Sequence, residues 1–385
     1  DDGAIGGGMT GMTSGHLTSM LDDRYFELER VRGEAAAKLA AESHAAAIDR
    51  IEQLVREERI DCDFSRVTGY LYLAEGDQPS TLERELDAAR RAGIAGVTRL
   101  EHAPFESFDT GPCLAWPNQG QFHPLKYLAG LAQAIRARGG RIFNGTHVEG
   151  IEGGAPARVS AGGRTVTARS VVVATNSPVN DRLVIHTKQA PYMTYVVGAR
   201  VPPGSVPGVL AWDTGDPYHY VRLHEDYLIV GGEDHKSGQA HDSPERHARL
   251  ERWARERFPM MGPVEFAWGG QIMETLDYLG FIGRNPMDHE NVYVVTGDSG
   301  MGLTHGTIAG MLITDLVSGR DNPWGGTPAE AWTSADSLRE FAEFNDMLEL
   351  IGISASDPDE AQRQLQAEFK LEGLVVRFGI DEPDE

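Results

Sequence analysis

Cysteine is nearly absent from this 385-residue sequence, which contains only Cys62 and Cys113. Two cysteines cannot build a disulfide framework or a cysteine-rich metal site, so we expect neither disulfides nor a metal centre. Low cysteine use without disulfides fits a reducing compartment, and we expect a cytoplasmic protein.

Long hydrophobic runs and positive charge are also scarce. No apolar run approaches the roughly 20 residues that span a bilayer, and no signal peptide is visible. The 35 basic residues face 58 acidic ones, which gives a formal net charge of -23. Such a field repels phosphate backbones. The sequence therefore predicts no membrane span and no nucleic-acid partner.

A strand before the first glycine-rich loop is missing as well. The chain opens with Asp1-Asp2-Gly3 and reaches Gly6-Gly7-Gly8 within a few residues. Glycine loops that bind nucleotides follow a buried strand. We therefore expect an N-terminally truncated chain, with proteolytic processing as the alternative.

Helical and strand patterns are clear in the first half of the chain. Apolar spacing predicts helices over about 24–58, with Gly33 as a break, and from Pro124 to Gly139 on an apolar face of leucines and Ile135. Ser80 and Glu83 predict a capping box for a helix that ends near Gly93. Strands are predicted at 69–74, 141–144, 148–151 and 171–175, with a hairpin over 157–168. The run at 171–175 is continuously apolar, which suits a strand buried on both faces.

The second half of the chain has a different character. Residues from about 185 to 268 predict long antiparallel strands and one helix near 243–258. A strand at 292–296, a glycine-rich turn and a helix ending at Gly319 follow. Strand, glycine turn and helix near both ends, with antiparallel strands between, indicate an α/β nucleotide domain interrupted by an α+β domain.

The sharpest motif is the glycine-rich turn Gly297-Asp298-Ser299-Gly300-Met301-Gly302-Leu303-Thr304-His305-Gly306. Its glycines let backbone approach a ligand, and the free N–H groups at a helix start suit an anionic phosphate or the pyrimidine edge of a reduced flavin. The alternative is that the glycines only make a tight turn.

Two hydrolase interpretations of the same turn fail. Residues 297–300 match the nucleophile segment of trypsin-like proteases, but a helix follows here instead of a β-barrel strand. The nucleophile elbow Gly-x-Ser-x-Gly needs glycine where Met301 stands, and no histidine follows His305 to complete a triad.

Several motifs together resemble the D-amino acid oxidase and glycine oxidase superfamily of FAD-dependent oxidoreductases, over about residues 1–324. Residues 1–17 resemble the stretch after the family's second strand. Residues 275–283 match its Thr-x-Asp-x-x-Pro-x-Ile-Gly pattern, with Gly280 in place of proline. The turn at 297–306 resembles the family's last FAD-contacting loop. The resemblance implies an α/β fold, in which a Rossmann-like FAD domain of the glutathione reductase type is interleaved with an α+β substrate domain.

The resemblance also implies domain boundaries. The substrate domain would contain 67–119 and 185–268, and 325–385 would form an acidic, partly helical tail. The FAD domain, without its first strand, would contain 1–66, 120–184 and 269–324.

Non-covalent FAD is the cofactor that the resemblance implies. Asp1 would bind the adenosine ribose, and the backbone of Val148 would meet the adenine. The cofactor-binding residues carried over are Asp1, Gly8, Thr10, Gly11, Met12, Thr13, Ser14, His16, Val148, Ala174, Thr175, Asn176, Gly270, Gly297, Gly300, Met301, Gly302, Leu303 and Thr304.

Three departures from the family pattern matter. The pyrophosphate-binding Gly-x-Gly-x-x-Gly is absent. Met12 stands where relatives carry arginine or a flavin-linked histidine, and His16 lies further along, so we expect no covalent link. Some relatives append a Rieske iron–sulfur domain, which needs cysteine and histidine ligands, but neither residue type follows Gly325 in this sequence.

The candidate catalytic residues are Tyr220, Arg222 and His305. On a strand, Tyr218, Tyr220 and Arg222 share one face. The family resemblance places this hairpin over the flavin, where the Arg222 fork could bind a substrate carboxylate. A solvated strand face is the alternative. His235 and His241 are better explained by loop polarity than as metal ligands.

The predicted function is FAD-dependent oxidation of the C–N bond of an amino acid or amine, by hydride transfer to the flavin and hydrolysis of the imine. The partner is this small-molecule substrate, and the electron acceptor is left open. Two alternatives remain. One is a flavin dehydrogenase of a hydroxy compound such as a glycerol phosphate, and the other is a non-catalytic fragment or interaction protein.

Overall fold

The computed structural model describes residues 1–180, 185, 188–285 and 288–325. Apart from Gly325, the predicted acidic tail at 325–385 lies outside the described residues, so its helical character stays a prediction.

Five helices are formed by the described residues: α1 (Tyr25–Glu57), α2 (Ser80–Arg91), α3 (Pro124–Ala137), α4 (Ser243–Arg257) and α5 (Gly302–Val317). All five were predicted from apolar spacing and capping residues, and their bounds confirm those predictions to within a few residues. Gly33, with φ 81° and ψ 166°, interrupts α1 as predicted. A short 3-10 turn, Met9–Gly11, precedes them.

Strands supply most of the remaining regular structure. They are β1 (His16–Leu17), β2 (Ser65–Tyr72), β3 (Thr98–Leu100), β4 (Cys113–Gln121), β5 (Val148–Glu152), β6 (Ala157–Ala161), β7 (Arg164–Ala168), β8 (Val171–Val173), β9 (Gln189–Arg200), β10 (Leu210–Asp213), β11 (His219–His224), β12 (Tyr227–Lys236), β13 (Val264–Thr275), β14 (Phe281–Arg284) and β15 (Val292–Thr296).

The largest sheet has nine strands in the order β1-β4-β2-β10-β11-β12-β9-β13, with β3 paired to β4. Its pairs are antiparallel except β10 with β2, where Leu210 faces Gly69 in parallel register. Within residues 185–268 the strands pair antiparallel as predicted, and the parallel pair joins β10 to β2, which lies outside that stretch. The sheet takes strands from both predicted domains, and the domain boundaries remain a prediction.

Two small sheets complete the fold, β14-β15-β8 and β5-β6-β7. In the first, β15 runs parallel to β8 and leads through the glycine-rich turn into α5, as predicted. Val172 is 46% exposed because β8 has β15 as its one partner among the described strands, so the prediction of a strand buried on both faces was wrong.

Two local predictions were also wrong. Ser80 caps nothing, because the chain already turns at Pro79, whose carbonyl accepts from Leu82 N at 3.2 Å. Residues 141–144 form no strand, since the Phe143 carbonyl accepts from the N-terminal ammonium of Asp1 at 3.0 Å.

The main core lies between the large sheet and helices α1 and α2. Trp116 and Tyr25 are fully buried there and stack with ring centroids 6.0 Å apart. Truncating such a core tryptophan to alanine typically costs about 3–5 kcal/mol. This core fixes the start of α1, and with it the segment just before the helix, next to the glycine-rich turn.

Candidate active site

The glycine-rich turn between β15 and α5 is held from both sides. Ser299 N donates to Met273 O at 3.0 Å, and Met301 N donates to Asp298 O at 2.7 Å. The N-cap residue of α5, Met301, makes no side-chain cap. The first-turn N–H groups of Gly302, Leu303 and Thr304 therefore have no intrahelical partner, and the positive end of the helix dipole lies with them.

Glycine is needed at positions 300 and 302 because carboxylates of the protein itself lie against the backbone there. A Cβ on Gly300, whose φ is 78°, would lie 2.7 Å from Asp22 Oδ2 and 3.7 Å from the Tyr218 hydroxyl. A Cβ on Gly302 would overlap the Asp298 carboxylate. Both glycines therefore let the turn pack closely against acidic side chains.

The loop from Gly8 to His16 lies against β13. The Met12 carbonyl accepts from Trp268 Nε1 at 2.7 Å, and Gln271 N lies 3.0 Å from Met9 Sδ. Gly270 faces Met12, since a Cβ there would lie 3.6 Å from the Met12 Cβ. Met9 and Met12 are each 41% exposed, so they present an apolar surface beside the loop. Gly8, Thr10, Gly11, Thr13 and Ser14 belong to this same segment.

The predicted adenosine end lies at the start of the chain. Thr146 N donates to Asp1 O at 2.9 Å, and Asp1 Oδ1 accepts from Gly3 N at 2.8 Å. Val148 begins β5 two residues after Thr146. The structure thus brings Asp1 close to the segment that leads into Val148.

The segment Ala174-Thr175-Asn176 follows β8 and joins the glycine-rich turn through Thr296. The Thr296 hydroxyl contacts the Asn176 carbonyl and lies 3.1 Å from Gln189 Oε1. Gln189 is 6% exposed, and its Nε2 is buried without a hydrogen-bond partner among the described residues.

Arg222 does not face an open pocket. Its NH1 donates to the carbonyls of Ser14 and Gly15, both at 2.8 Å, and of Phe122 at 3.1 Å. The side chain is 3% exposed, and burial lowers its pKa to about 10. Through NH1 the guanidinium holds the backbone of the loop at 14–15, while its Nε is buried without a hydrogen-bond partner among the described residues. A carboxylate anchor at Arg222 stays a prediction, and the burial of the residue contradicts the solvated strand face.

Tyr220 connects this loop to the glycine-rich turn. His16 packs edge-on against it with ring centroids 5.2 Å apart, and Tyr218 lies 5.8 Å away on the other side. Burial, with a smaller contribution from the Arg222 charge, lowers the pKa of His16 to about 3. His16 is therefore neutral at physiological pH and cannot supply a proton as an acid.

His305 fills the space left by Gly280. A Cβ on Gly280 would overlap the His305 imidazole, which explains why glycine stands where the family pattern has proline. The ring is 7% exposed, and its Nε2 has no hydrogen-bond partner within the described part of the chain. Burial lowers the pKa of His305 to about 4, so the ring is neutral. These contacts describe a packing residue, and a catalytic role for His305 stays a prediction.

Gly280→Ala should destabilise the fold by about 1–3 kcal/mol, the usual cost of overpacking a core. His305→Ala in the same chain should remove that overlap, so the double variant should lose less than the sum of the two single losses. Denaturant unfolding of the four proteins measures this coupling. Additive losses would show that Gly280 and His305 do not share this space.

Four carboxylates in this region were not predicted: Asp22, Asp234 and Glu274, whose charges act on Tyr218, and Asp23, which follows Asp22. Asp22 Oδ2 accepts from the Tyr218 hydroxyl at 3.3 Å. Glu274 lies on β13 beside Ser299, and Asp234 lies on β12 beside Thr194. These residues are far apart in sequence, so no periodicity groups them. The available sequence signals were the acidic pair Asp22-Asp23 before α1 and the acidic pair Glu233-Asp234 after Gly231-Gly232.

Burial raises the pKa of all four carboxyls, and neighbouring carboxylates raise it further at Asp23, Asp234 and Glu274. Burial, offset in part by Arg24, raises the pKa of Asp22 to about 6. Burial and the neighbouring Asp22 raise that of Asp23 to about 7, and burial raises that of Asp234 to about 7. Burial and then the charges of Asp23 and Asp22 raise the pKa of Glu274 well above its usual range.

Asp234→Asn should stabilise the fold more at pH 8 than at pH 5. Because the folded pKa, about 7, exceeds the usual 3.8, the stabilising contribution of this carboxyl is fully present below pH 3.8 and is lost as the pH rises from 3.8 through 7, so part of the gain is already present at pH 5. At about 1.4 kcal/mol per pKa unit, the gain at pH 8 is up to about 4 kcal/mol. Thermal melts at both pH values, with exposed Glu106→Gln as the control, measure it. An equal change at both pH values would contradict the shifted pKa.

Among the described residues, no group of three or more His, Cys, Asp or Glu side chains is arranged to hold a metal ion. No helix within the same residues combines the length and apolar character needed to cross a bilayer.

Comparison with known families gives one match that covers most of the chain. The sequence profile described as FAD dependent oxidoreductase matches residues 1–316. A Bacillus subtilis (strain 168) protein named as a Rieske 2Fe-2S iron-sulfur protein, YhfW, is 27% identical over 82% of this chain and 63% of its own length. This chain thus spans less than two thirds of that relative.

Two further comparisons are with a second sequence relative and with a solved structure. The gamma-glutamylputrescine oxidoreductase of Escherichia coli (strain K12) is 27% identical over 82% of this chain and 76% of its own length. The crystal structure of glycine oxidase from Geobacillus kaustophilus superposes with a TM-score of 0.69 at 19% identity, covering 84% of this chain and 88% of that one. The structural similarity to glycine oxidase confirms the predicted fold.

Proposed function

Because the chain belongs to the FAD-dependent oxidoreductase family, we propose that it oxidises the C–N bond of an amine or amino acid at the turn between β15 and α5. The observation that carries the proposal is the position of Tyr218, Asp22 and Gly300. The Tyr218 hydroxyl donates to Asp22 at 3.3 Å, and both groups lie directly against Gly300. The names of relatives, gamma-glutamylputrescine oxidoreductase and D-amino acid dehydrogenase, support a C–N substrate.

Three features of the chain fit an FAD cofactor. The uncapped start of α5 offers N–H groups and a positive dipole to an anionic edge. The Nε2 of Gln189 is a buried donor without a partner, next to Gly297. Met9 and Met12 offer an apolar surface beside Gly270. We propose that these residues hold the flavin, with Asp1 and Val148 at its adenosine end.

The proposed reaction removes two electrons and two protons from the substrate. The carbon loses hydride and the ammonium loses a proton, so R₂CH–NH₃⁺ becomes R₂C=NH₂⁺, which water converts to R₂C=O and NH₄⁺. FAD, when bound, supplies the oxidant that accepts the hydride.

Side chains of the protein would orient the amine and accept the proton that its ammonium group loses. Carboxylates stabilise a substrate ammonium by charge-assisted hydrogen bonds. A carboxyl with a pKa of about 6, such as Asp22, can accept a proton near neutral pH and release it again. The hydroxyls of Tyr218 and Tyr220 have pKa values that burial raises above the usual range, so they stay protonated and serve as donors.

Anaerobic reduction of protein-bound flavin tests this function. The flavin-loaded protein should bleach near 450 nm, the usual flavin band, with amines or amino acids and not with the matched alcohols. Reduction by hydroxy compounds such as glycerol phosphate, and by no C–N compound, would support the dehydrogenase alternative instead. If the chain binds no flavin, the result would support the alternative of a non-catalytic fragment or interaction protein.

A further inference from the structure

Resting on the proposed function, we infer that Asp277 is a positioning residue for the flavin site. Through an ion pair with Arg32 of α1, it fixes the loop 276–280, which joins β13 to β14, against the glycine-rich turn. The ion pair holds the loop, and the loop in turn sets the position of the glycine-rich turn and of the start of α5.

The loop 276–280 packs against the glycine-rich turn and α5 at both of its ends. Just before the loop, Thr275 lies so close to the turn that a Cβ on Gly297 would overlap its methyl group. At the far end of the loop, Gly280 lies against the His305 imidazole of α5. Both contacts are tight, so a displacement of the loop also displaces the turn and the first residues of α5.

Asp277 attaches the middle of this loop to a helix that is 245 residues away in sequence. The Arg32 guanidinium donates to Asp277 Oδ2, and the two side chains are only 18% and 15% exposed. The second carboxylate oxygen, Oδ1, accepts from Leu279 N at 3.4 Å and closes a turn within the loop. A pair that is largely shielded from solvent is screened less than a surface pair, so it can hold the loop in one position.

The backbone of the loop is strained at Tyr278. Its φ is 65°, in the left-handed region that a bulky side chain rarely adopts. Tyr278 and Leu279 are half-buried and pack against the core cluster that includes Met20 and Met301. Strained backbone persists only where the surrounding contacts over-determine it, and such positions gather at ligand sites. The ion pair of Asp277 is one of the contacts that keep this conformation.

The position of Arg32 is itself fixed from α2. At the start of α1, the N–H groups of Tyr25 and Phe26 donate to the carboxyl oxygens of Glu85 at 3.1 and 3.3 Å. Gly33 then interrupts α1, and a Cβ there would meet no atom within 4 Å, so its φ of 81° accounts for the glycine. The break sets apart the short first segment of α1, which carries Arg32 to the loop.

The start of α5 is the part of the proposed flavin site that this arrangement positions. Its first-turn N–H groups are the donors that we propose for the anionic edge of the flavin. The favourable interaction of an anion with a helix start falls off within the first turn, so it depends on where that turn lies. Loss of the ion pair between Arg32 and Asp277 should therefore weaken flavin binding as well as the fold.

Titration of the flavin-free protein with FAD, followed by flavin fluorescence, tests the inference in Asp277→Asn, Arg32→Gln and the double variant. We expect each single change to weaken FAD affinity about 10-fold. The double variant should lose no more than about twofold beyond either single variant, because both changes break the same contact.

Glu29→Gln is the matched control. Glu29 lies on the same first segment of α1 as Arg32 and pairs with Arg91 of α2 at 2.5 Å. The change thus removes an ion pair from that segment on the side of α2, and FAD affinity should stay as in wild type. Denaturant unfolding of the flavin-free proteins gives the stability of each variant, which separates a loss of affinity from a loss of fold.

Four other outcomes would contradict the inference or the function on which it rests. FAD affinity in Asp277→Asn that equals that of wild type, or that falls no further than in Glu29→Gln, would overturn the positioning role. Additive losses from Arg32→Gln and Asp277→Asn would overturn the role of the ion pair. A wild-type chain that binds no FAD would overturn the inference together with the proposed function. A chain that binds FAD but is reduced by no C–N compound would overturn the proposed function alone, since FAD affinity still decides the inference.

Discussion

Arg222→Leu is expected to reduce the free energy of unfolding by about 3–5 kcal/mol, because three buried carbonyls lose their shared donor. The leucine would leave the carbonyls of Ser14, Gly15 and Phe122 buried without their shared donor. Each unsatisfied group costs about 1–3 kcal/mol, less whatever relaxation recovers. The loop at 14–15 would then lose its attachment to β11.

The controls for Arg222 follow from its geometry. All three bonds come from one nitrogen, NH1, so the single ammonium of Arg222→Lys should recover part of the lost stability. Arg200→Leu removes an arginine from the same sheet whose side chain is 58% exposed, and should cost less than about 1 kcal/mol. Denaturant unfolding measures all three variants. An Arg222→Leu protein of unchanged stability that loses only amino-acid substrates would support the predicted carboxylate anchor.

Gly300→Val should slow flavin reduction by about 100-fold, the effect of displacing a reacting group by roughly 1 Å. A β-branched residue is a genuine outlier at φ 78°, and its Cβ would lie 2.7 Å from Asp22 Oδ2. The turn and Asp22 therefore cannot keep their positions together. Stopped-flow reduction of the loaded protein by its best amine measures the rate.

Gly306→Ala is the matched control for Gly300→Val. Gly306 lies in α5, and a Cβ there meets no atom within 4 Å. Alanine should leave the rate unchanged and stabilise the helix by roughly 0.5–1 kcal/mol. Equal rates for wild type and Gly300→Val would show that the contact between the turn and Asp22 is not needed for the reaction.

Local sequence rules predicted the order of elements because those elements are locally encoded. The strand, glycine turn and helix at 292–317 follow from apolar spacing and glycine placement. The same rules failed where tertiary contacts decide. The predicted apolar face of α3 is partly exposed, at Leu125 and Ile135, while Tyr127 is buried because it packs against Phe122 at 4.9 Å.

The candidate site, like the fold, was predicted from the sequence only in part. Motif order placed the glycine-rich turn, and strand alternation placed Tyr220 beside Arg222. What Arg222 contacts could not be predicted, because its acceptors are carbonyls about 100 and 200 residues away in sequence. The carboxyls of Asp22, Asp234 and Glu274 could not be grouped for the same reason, since they lie in the segment before α1, in β12 and in β13.

The most direct test of C–N oxidation is a single turnover of the flavin-loaded protein with its best primary amine or amino acid in the absence of oxygen, with reduced flavin and released ammonium measured together. We expect complete bleaching near 450 nm, the usual flavin band, and about one ammonium ion per reduced flavin, because the imine product is hydrolysed. Flavin that stays oxidised with every amine and amino acid, or that is reduced without ammonium by a hydroxy compound, would contradict it.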